Sequence, residues 1–175
     1  GLRVPRSILI NQGCWRRNPF TILNNINHHL HYPLVVKPNA LGSSVGVEIV
    51  EAPAELDRTI ERGFESARDL VAQSYIPGRE FTCGVLDHGT KGTAYPLLPT
   101  EIIPRSARFF DYEEKYSNGG AIEVTPAELN EAWMREARRA AFRAHETLGC
   151  RGMSRTDMIL GHDGVLYVLE VNTIP

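Results

Sequence analysis

Apolar residues fall along this chain in short runs separated by turn-forming residues, a pattern typical of β-strands. The runs predict strands over residues 7–10, 33–37, 46–50, 70–76, 80–86, 95–103, 153–160 and 165–171. Between the last two runs lies His162-Asp163-Gly164, whose turn-forming residues predict a β-hairpin. The chain is therefore predicted to be rich in β-structure.

Longer segments with apolar residues at helical spacing predict helices between these strands. One begins at Asn18-Pro19, an N-cap followed by proline at the first helical position. Another is predicted over residues 53–70. The strongest is predicted to begin with the capping box Thr125-Pro126-Ala127-Glu128 and to end at Gly149. The resulting order of elements predicts two α+β lobes, over residues 1–73 and 74–175.

Composition and charge exclude several classes of protein. The 175 residues carry a formal net charge of −2, which argues against a general nucleic-acid or membrane-surface binder. Apolar runs all fall short of the ~18 residues of a membrane span, and no signal peptide is recognisable. Cys14, Cys83 and Cys150 are odd in number and widely spaced, which predicts free thiols in a reducing cytoplasm. A lone catalytic cysteine is the alternative.

The stretch VVKPNALGSSVGV, residues 35–47, runs from a strand that ends in Lys37 into a loop of glycines and serines. Backbone N–H groups and hydroxyls of such a loop are suited to closing over phosphate oxygens. This is not a Walker loop, because Lys37 precedes the glycines and a strand follows them. The sequence predicts a phosphate-covering hairpin, and an ordinary flexible hairpin is the alternative.

Polar residues alternate along the two C-terminal strands. Arg155 and Asp157 share one face of the first strand, and Glu170 and Asn172 share one face of the second. If the hairpin pairs as its turn predicts, Asp157, Glu170 and Asn172 converge into an oxygen-rich site suited to Mg²⁺. Arg155 beside them is suited to bidentate binding of a carboxylate or phosphate. The alternative is a salt-bridged sheet face without a ligand.

A second group that could ligate a metal is a set of histidines at the end of the first predicted helix, His28, His29 and His31. No carboxylate or cysteine accompanies them in the sequence. Cations near a helix C-terminus interact favourably with the helix dipole, so this structural role is the preferred interpretation.

Five motifs occur in one order along the chain: VVKPNALGSSVGV, YIPGREFTCGVL, FFDYEEKYSNG, LGCRGMSRTDMIL and YVLEVNTIP. With these motifs the whole chain resembles the ATP-grasp portion of the D-alanine–D-alanine ligases. The resemblance implies an α+β ATP-grasp fold, two lobes with mainly antiparallel sheets enclosing the nucleotide. Residues 1–73 would be the small central lobe and 74–175 the large C-terminal lobe, truncated at Pro175, with the N-terminal substrate domain absent.

The function implied by this resemblance is the ATP-dependent ligation of two D-alanines through an acyl phosphate, for peptidoglycan precursor synthesis in the cytoplasm. It implies two Mg²⁺ ions as cofactor, with Mn²⁺ as an alternative. It also implies ATP and D-alanine as partners rather than nucleic acid or a membrane. A homodimer is implied for the intact enzyme. The alternatives are another ATP-grasp carboxylate–amine ligase, or an ATP-binding fragment without catalysis.

The resemblance also implies roles for individual residues. The residues implied to be catalytic are Ser43, Tyr116 and Arg155. ATP binding falls on Lys37, Ser43, Ser44, Val47, Gln73, Ser74, Ile76, Glu80, Phe109, Lys115, Ile159 and Leu169. Metal binding falls on Asp157, Glu170 and Asn172. Residues 105–120 correspond to the ω-loop that closes over the reacting centre and excludes water.

Two local features bear on specificity. The pair Lys115-Tyr116 matches ligases that make D-alanyl-D-alanine, whereas relatives that make D-alanyl-D-lactate tend to carry a histidine-containing loop. Gln73 and Ser74 depart from the family, whose members usually have Glu and Lys there. This departure concerns the adenine edge and therefore the affinity for ATP.

Overall fold

The structure is a computed structural model that describes residues 1–41, 45–88, 94–104 and 121–175. These residues divide into two compact units. The first unit holds residues 5–41 and 45–75, and the second holds 1–4, 76–88, 94–104 and 121–175. Each unit has its own hydrophobic core beside an antiparallel sheet. In the part of the chain that the structure describes, no helix has the length and apolar character needed to cross a membrane.

The described part of the first unit is a four-stranded sheet with strand order β1-β4-β2-β3, accompanied by helices. Its strands are β1 (Ser7–Asn11), β2 (Leu34–Pro38), β3 (Glu48–Val50) and β4 (Asp69–Ser74). Its helices are α1 (Gln12–Arg17), α2 (Pro19–His29) and α3 (Pro53–Gly63). The core gathers Ile10, Ile26, Leu56, Ile60 and Leu70, all with no exposed surface. Alternate strand residues therefore face the helices.

Helix ends in the first unit follow the caps rather than the apolar period. The predicted start of α2 is confirmed, since the Asn18 side chain accepts a hydrogen bond from the Thr21 amide at 3.1 Å. Helix α1, which Asn11 caps in the same way, was not predicted from the sequence. The prediction that α3 runs to residue 70 is wrong. The helix ends at Gly63, and Leu70 is instead buried in β4, where the sheet satisfies its backbone.

The described part of the second unit is a six-stranded sheet with order β10-β9-β5-β7-β8, and β6 beside β5. The strands are β5 (Gly78–Leu86), β6 (Tyr95–Pro96), β7 (Thr100–Ile103), β8 (Ile122–Val124), β9 (Met153–Gly161) and β10 (Leu166–Asn172). Helix α4 (Glu131–Thr147) packs on one side of this sheet through Ala137, Ala140 and Ala141. We call that side the α4 face and the opposite side the far face.

Two predictions in this unit are wrong. The capping box at Thr125 does not start the helix, which begins at Glu131 with Asn130 accepting a hydrogen bond from the Trp133 amide at 3.0 Å. Residues just before Thr125 form β8, which pairs with β7, and the Thr125 hydroxyl lies 2.6 Å from that of Thr100. The strand predicted over 95–103 is divided into β6 and β7. The predicted loop 105–120 lies outside the described residues.

A β-bulge interrupts the C-terminal hairpin. Val168 pairs with Met158, but Glu170 pairs with Asp157, so Leu169 is an extra residue in β10. Val168 is buried on the α4 face. In a regular strand Glu170 would point to that same face, because side chains two apart share a face. The bulge turns Glu170 to the far face instead, opposite Asp157.

Candidate metal and nucleotide site

The far face of the second sheet carries a cluster of polar side chains centred on Asp157. Its carboxylate accepts hydrogen bonds from Arg155 in bidentate form, Nε to Oδ1 at 2.9 Å and Nη2 to Oδ2 at 3.0 Å. Asn172 Nδ2 donates to Oδ2 at 3.0 Å, and the Thr82 hydroxyl donates to Oδ1 at 2.7 Å. Glu170 lies directly opposite on β10. The structure thus brings together all four residues that the alternation pattern predicted.

Two carboxylates of this cluster face each other across neighbouring strands. Asp157 and Glu170 are like charges on directly opposite positions of neighbouring strands, an arrangement that destabilises a sheet when uncompensated. The hydrogen bond with Asp157 is the main cause that raises the pKa of Arg155, burial opposes it, and the charges of Glu170 and Glu123 add to the rise. The guanidinium is bonded to Asp157 and lies in the field of two further carboxylates.

The donor set fits a hard divalent cation. Asp157 and Glu170 offer carboxylate oxygens and Asn172 offers an amide oxygen, and Mg²⁺ in proteins is bound through one or two carboxylates plus phosphates and water. An Asn172 ligand would present Oδ1 and release the bonds that Nδ2 donates to Asp157 and, at 3.5 Å, to Glu170. Among the described residues, no group of three or more His, Cys, Asp or Glu side chains gathers. The three histidines therefore form no such group with one another.

Predicted nucleotide residues of the second unit lie along the same sheet. Glu80 on β5 pairs directly with Ile159 on β9, two residues from Asp157, so all three share the far face. Leu169 is the bulged residue of β10. Ile76 precedes β5 and lies beside Gly161, where an added Cβ would be 3.2 Å from its Cγ2. These positions form a continuous strip from the carboxylates toward Ile76.

Predicted nucleotide residues of the first unit are divided between the two faces of its sheet. Lys37 pairs with Val71, and Val35 pairs with Gln73, so Lys37 and Gln73 lie on the same face. Ser74 alternates to the opposite face. Val47 is half-buried immediately before β3. The structure thus brings Lys37 and Gln73 together and separates the Ser74 side chain from them.

Gly46, two residues before β3, lies close to the end of β2. Gly46 has φ +71°, in the left-handed region that favours glycine, and a Cβ there would lie 3.0 Å from Pro38 Cγ. The remaining predicted site residues lie outside the described residues: Ser43, Ser44, Phe109, Lys115 and Tyr116. Their roles stay predictions.

Sequence reasoning missed Thr82 and Glu123. Thr82 alternates with Glu80 along a predicted strand, which was a signal that both share a face. The partner of Thr82 is 75 positions away in the sequence, and only the register of β5 against β9 shows it. Glu123 lies in a strand of three residues, too short to stand out in the apolar pattern.

Comparison with solved structures defines the class of protein. The whole chain matches 49% of the VanG D-Ala:D-Ser ligase from Enterococcus faecalis, with a TM-score of 0.84 and 34% identity. It also matches 53% of the D-alanine–D-alanine ligase from Bacillus anthracis, with a TM-score of 0.77 and 34% identity. The predicted α+β class with mainly antiparallel sheets is confirmed, and the fold is the ATP-grasp fold of the D-alanine ligases.

The chain belongs to the family described as D-ala D-ala ligase C-terminus, whose model matches residues 1–175. This confirms the resemblance seen in the motifs. The D-alanine–D-alanine ligase of Leptospira biflexa is 40% identical over 86% of this chain and 43% of its own length. That of Halalkalibacterium halodurans is 35% identical over 100% of this chain and 55% of its own length. The chain thus spans about half the length of the curated relatives it matches.

Proposed function

We propose that this chain is the ATP-binding portion of an enzyme that joins two D-alanines into D-alanyl-D-alanine, for peptidoglycan synthesis in the bacterial cytoplasm. The observation that carries the proposal is the facing pair of Asp157 and Glu170, with Arg155 bound to one of them, on the strip that also holds Glu80. Family membership supports the same assignment.

The proposed reaction has two steps. A carboxylate oxygen of the first D-alanine attacks the γ-phosphorus of ATP, and ADP leaves with the electron pair of the broken bond. The neutral amine of the second D-alanine then attacks the carbonyl of the D-alanyl phosphate, phosphate leaves with the electron pair of the broken C–O bond, and the proton lost from the nitrogen passes to phosphate or solvent. Such steps depend mainly on positioning and on stabilising charge as it develops.

In this proposal Arg155 stabilises the oxyanion that develops at the reacting carbonyl. Its guanidinium has five N–H donors, and its bonds to Asp157 use Nε and Nη2, so further N–H groups are suited to an oxyanion. The hydrogen bonds with Asp157 hold the guanidinium in place beside the candidate metal ligands. Lys37 would bind ATP phosphates from the end of β2, with Ser43, Ser44 and Lys115 assigned to the same phosphates.

Asp157, Glu170 and Asn172 would hold Mg²⁺, which when bound neutralises phosphate charge. In the second unit, Glu80 is assigned to the ribose hydroxyls. Apolar contact with the base is assigned to Ile76, Ile159 and Leu169. Glu80 and Ile159 pair directly, which supports a common ligand. In the first unit, Gln73, Ser74 and Val47 are assigned to the base, as is Phe109.

The second substrate is proposed to be D-alanine. The curated relatives named above are D-alanine–D-alanine ligases, whereas the Enterococcus faecalis structure is of a D-Ala:D-Ser ligase. A full-length enzyme carrying this chain is therefore assayed with D-alanine, D-serine and D-lactate as second substrates. We expect D-alanine to react fastest. Ser43 and Tyr116 are assigned to act near this second substrate. The assembled enzyme is proposed to be a homodimer.

The proposal is tested by thermal unfolding of this chain with and without Mg·ATP. A ligand present at 100 times its dissociation constant stabilises the native state by about 2.7 kcal/mol. We expect that stabilisation in the parent and its loss in Lys37→Ala. Arg58→Ala, an exposed position on α3, is the matched control and should keep it. No stabilisation of the parent would contradict ATP binding, and full stabilisation of Lys37→Ala would contradict the role of Lys37.

A further inference from the structure

Thr82 occupies a fixed position beside the candidate metal ligands. It lies on β5, which has a strand on each side, and it pairs with Thr100 on β7 and with Asp157 on β9. Its hydroxyl donates to Asp157 Oδ1 at 2.7 Å. A β-branched side chain in a strand has restricted χ1 freedom, so this donor is held in place by its own backbone.

The other donors to Asp157 have tasks of their own in the proposed function. Arg155 binds both oxygens of Asp157 through Nε and Nη2 and has its further N–H groups assigned to the oxyanion, whereas Asn172 would turn its amide to present Oδ1 to the metal. When Asn172 turns, its Nδ2 no longer holds Asp157 Oδ2. Thr82 has no such second task, so its bond to Oδ1 persists beside that of Arg155 Nε, while Oδ2 loses the Asn172 donor.

The hydrogen bonds also show which oxygen of Asp157 faces the second carboxylate. Asn172 Nδ2 reaches both Asp157 Oδ2, at 3.0 Å, and Glu170 Oε1, at 3.5 Å, so these two oxygens lie on the same side of the cluster. Oδ1 is the oxygen held by Thr82 at 2.7 Å and by Arg155 Nε at 2.9 Å. Fixing Oδ1 therefore fixes the direction in which Oδ2 points, which is toward Glu170.

We propose that Thr82 is a positioning residue that sets the affinity of this site for its divalent cation, by holding Asp157 so that Oδ2 and Glu170 Oε1 converge. This inference rests on the proposed function, because it takes Asp157 and Glu170 as the metal ligands. Hydrogen-bond partners of metal ligands typically change metal affinity 10–100-fold when they are removed.

The test measures the Mn²⁺ concentration that gives half of the thermal stabilisation produced by a fixed amount of ATP. Thr82→Val keeps the shape of the side chain and removes the donor, and Thr82→Ser keeps the donor. We expect Thr82→Val to need about 10–100 times more Mn²⁺, and Thr82→Ser to behave as the parent. Thr82→Ala is a second donor-free variant, used if Thr82→Val does not fold. Thr100→Val is the matched control, since that hydroxyl bonds to Thr125 rather than to the site.

At saturating Mn²⁺ the parent and Thr82→Val should reach the same stabilisation by ATP, whereas general damage to the fold would lower the plateau as well. Asp157→Asn separates the two levels of inference. If Asp157→Asn raises the Mn²⁺ requirement and Thr82→Val does not, the positioning role is overturned and the proposed function stands. If Asp157→Asn needs the same Mn²⁺ concentration as the parent, the assignment of Asp157 as a metal ligand is overturned, and so is the proposed role of Thr82.

Discussion

The second sheet carries an arginine–carboxylate pair on each of its faces, Arg79–Glu101 on the α4 face and Arg155–Asp157 on the far face. Both are bidentate through Nε and Nη2. The side chains are exposed to similar degrees, 46% and 9% for the first pair and 40% and 13% for the second. In both pairs the carboxylate hydrogen bond is the main cause that raises the pKa of the arginine.

Their neighbours distinguish the two pairs. The Arg79 guanidinium lies 5.2 Å from the centre of the Phe81 ring and donates to the Glu128 carbonyl at 2.9 Å, so structural contacts occupy it. Asp157 instead receives further polar donors and faces a second carboxylate. Pair geometry and exposure therefore do not identify a ligand site in this protein. The far-face pair differs in having a second carboxylate directly opposite, since Glu170 faces Asp157 whereas Glu101 pairs with Phe81 and Val124.

The largest expected effect comes from removing the charge of Asp157. We expect Asp157→Asn to lose most of the ~2.7 kcal/mol that Mg·ATP adds to the parent at 100 times its dissociation constant. Without ligand, we expect its free energy of unfolding to fall by at most ~1 kcal/mol, because the loss of hydrogen bonds from Arg155 is offset by relief of repulsion with Glu170. Denaturant titrations with and without Mg·ATP measure both. Glu101→Gln is the matched control and should keep the stabilisation by Mg·ATP. If Glu101→Gln also lost that stabilisation, the two pairs would not differ in their effect on ligand binding.

Removing the arginine of the α4-face pair should have the next largest effect. Arg79→Ala leaves Glu101, 6% exposed, without its guanidinium, and we expect a loss of about 2 kcal/mol in the free energy of unfolding. Arg155→Ala should cost less, since Asp157 keeps the donors Thr82 and Asn172. Urea denaturation midpoints compare the two variants. Equal losses would show that the far-face pair is as structural as its counterpart.

The smallest expected effect is a pH dependence of stability that reports whether water is excluded from the α4 face. Burial raises the pKa of the Cys83 thiol on that face from 9.0 to about 12. The unfolded chain loses this proton first, so the stability contribution is complete below pH 9 and is lost as the pH rises toward 12. By pH 9.5 we expect the parent to lose ~0.8 kcal/mol more than Cys83→Ala does. Cys14→Ala, at an exposed position, is the control. Identical pH profiles for the parent and Cys83→Ala would mean that water reaches this face.

The C-terminal hairpin was predictable because its information is local. The turn at Gly164 and the alternation of Arg155 with Asp157 lie within adjacent strands, and they placed the carboxylates together. The bulge was not predictable, since an extra apolar residue in an apolar run leaves no sign. Thr82 could not be paired with Asp157 from the sequence because the register between β5 and β9 is fixed by tertiary packing.

Errors in the helices arose where two local signals competed. Thr125 and Glu128 form a capping-box pattern, but the residues before them pair with β7 and Asn130 caps the helix instead. The apolar period of α3 continues past Gly63 in the sequence, but Leu70 gains more by burial in the sheet core. In both cases tertiary pairing overrode a local propensity worth about 1 kcal/mol.

Because Leu169 is an extra residue, the even-numbered side chains of β10 lie on one face of the sheet before it and on the other face after it. Before it, even-numbered residues such as Val168 belong to the core, and after it, even-numbered residues such as Glu170 belong to the far face. A one-residue deletion in this hairpin would exchange the two sets, burying a carboxylate and exposing Val171. The number of residues here is thus a stricter constraint on the sequence than the identity of Leu169, so insertions and deletions are the changes this strand can least absorb.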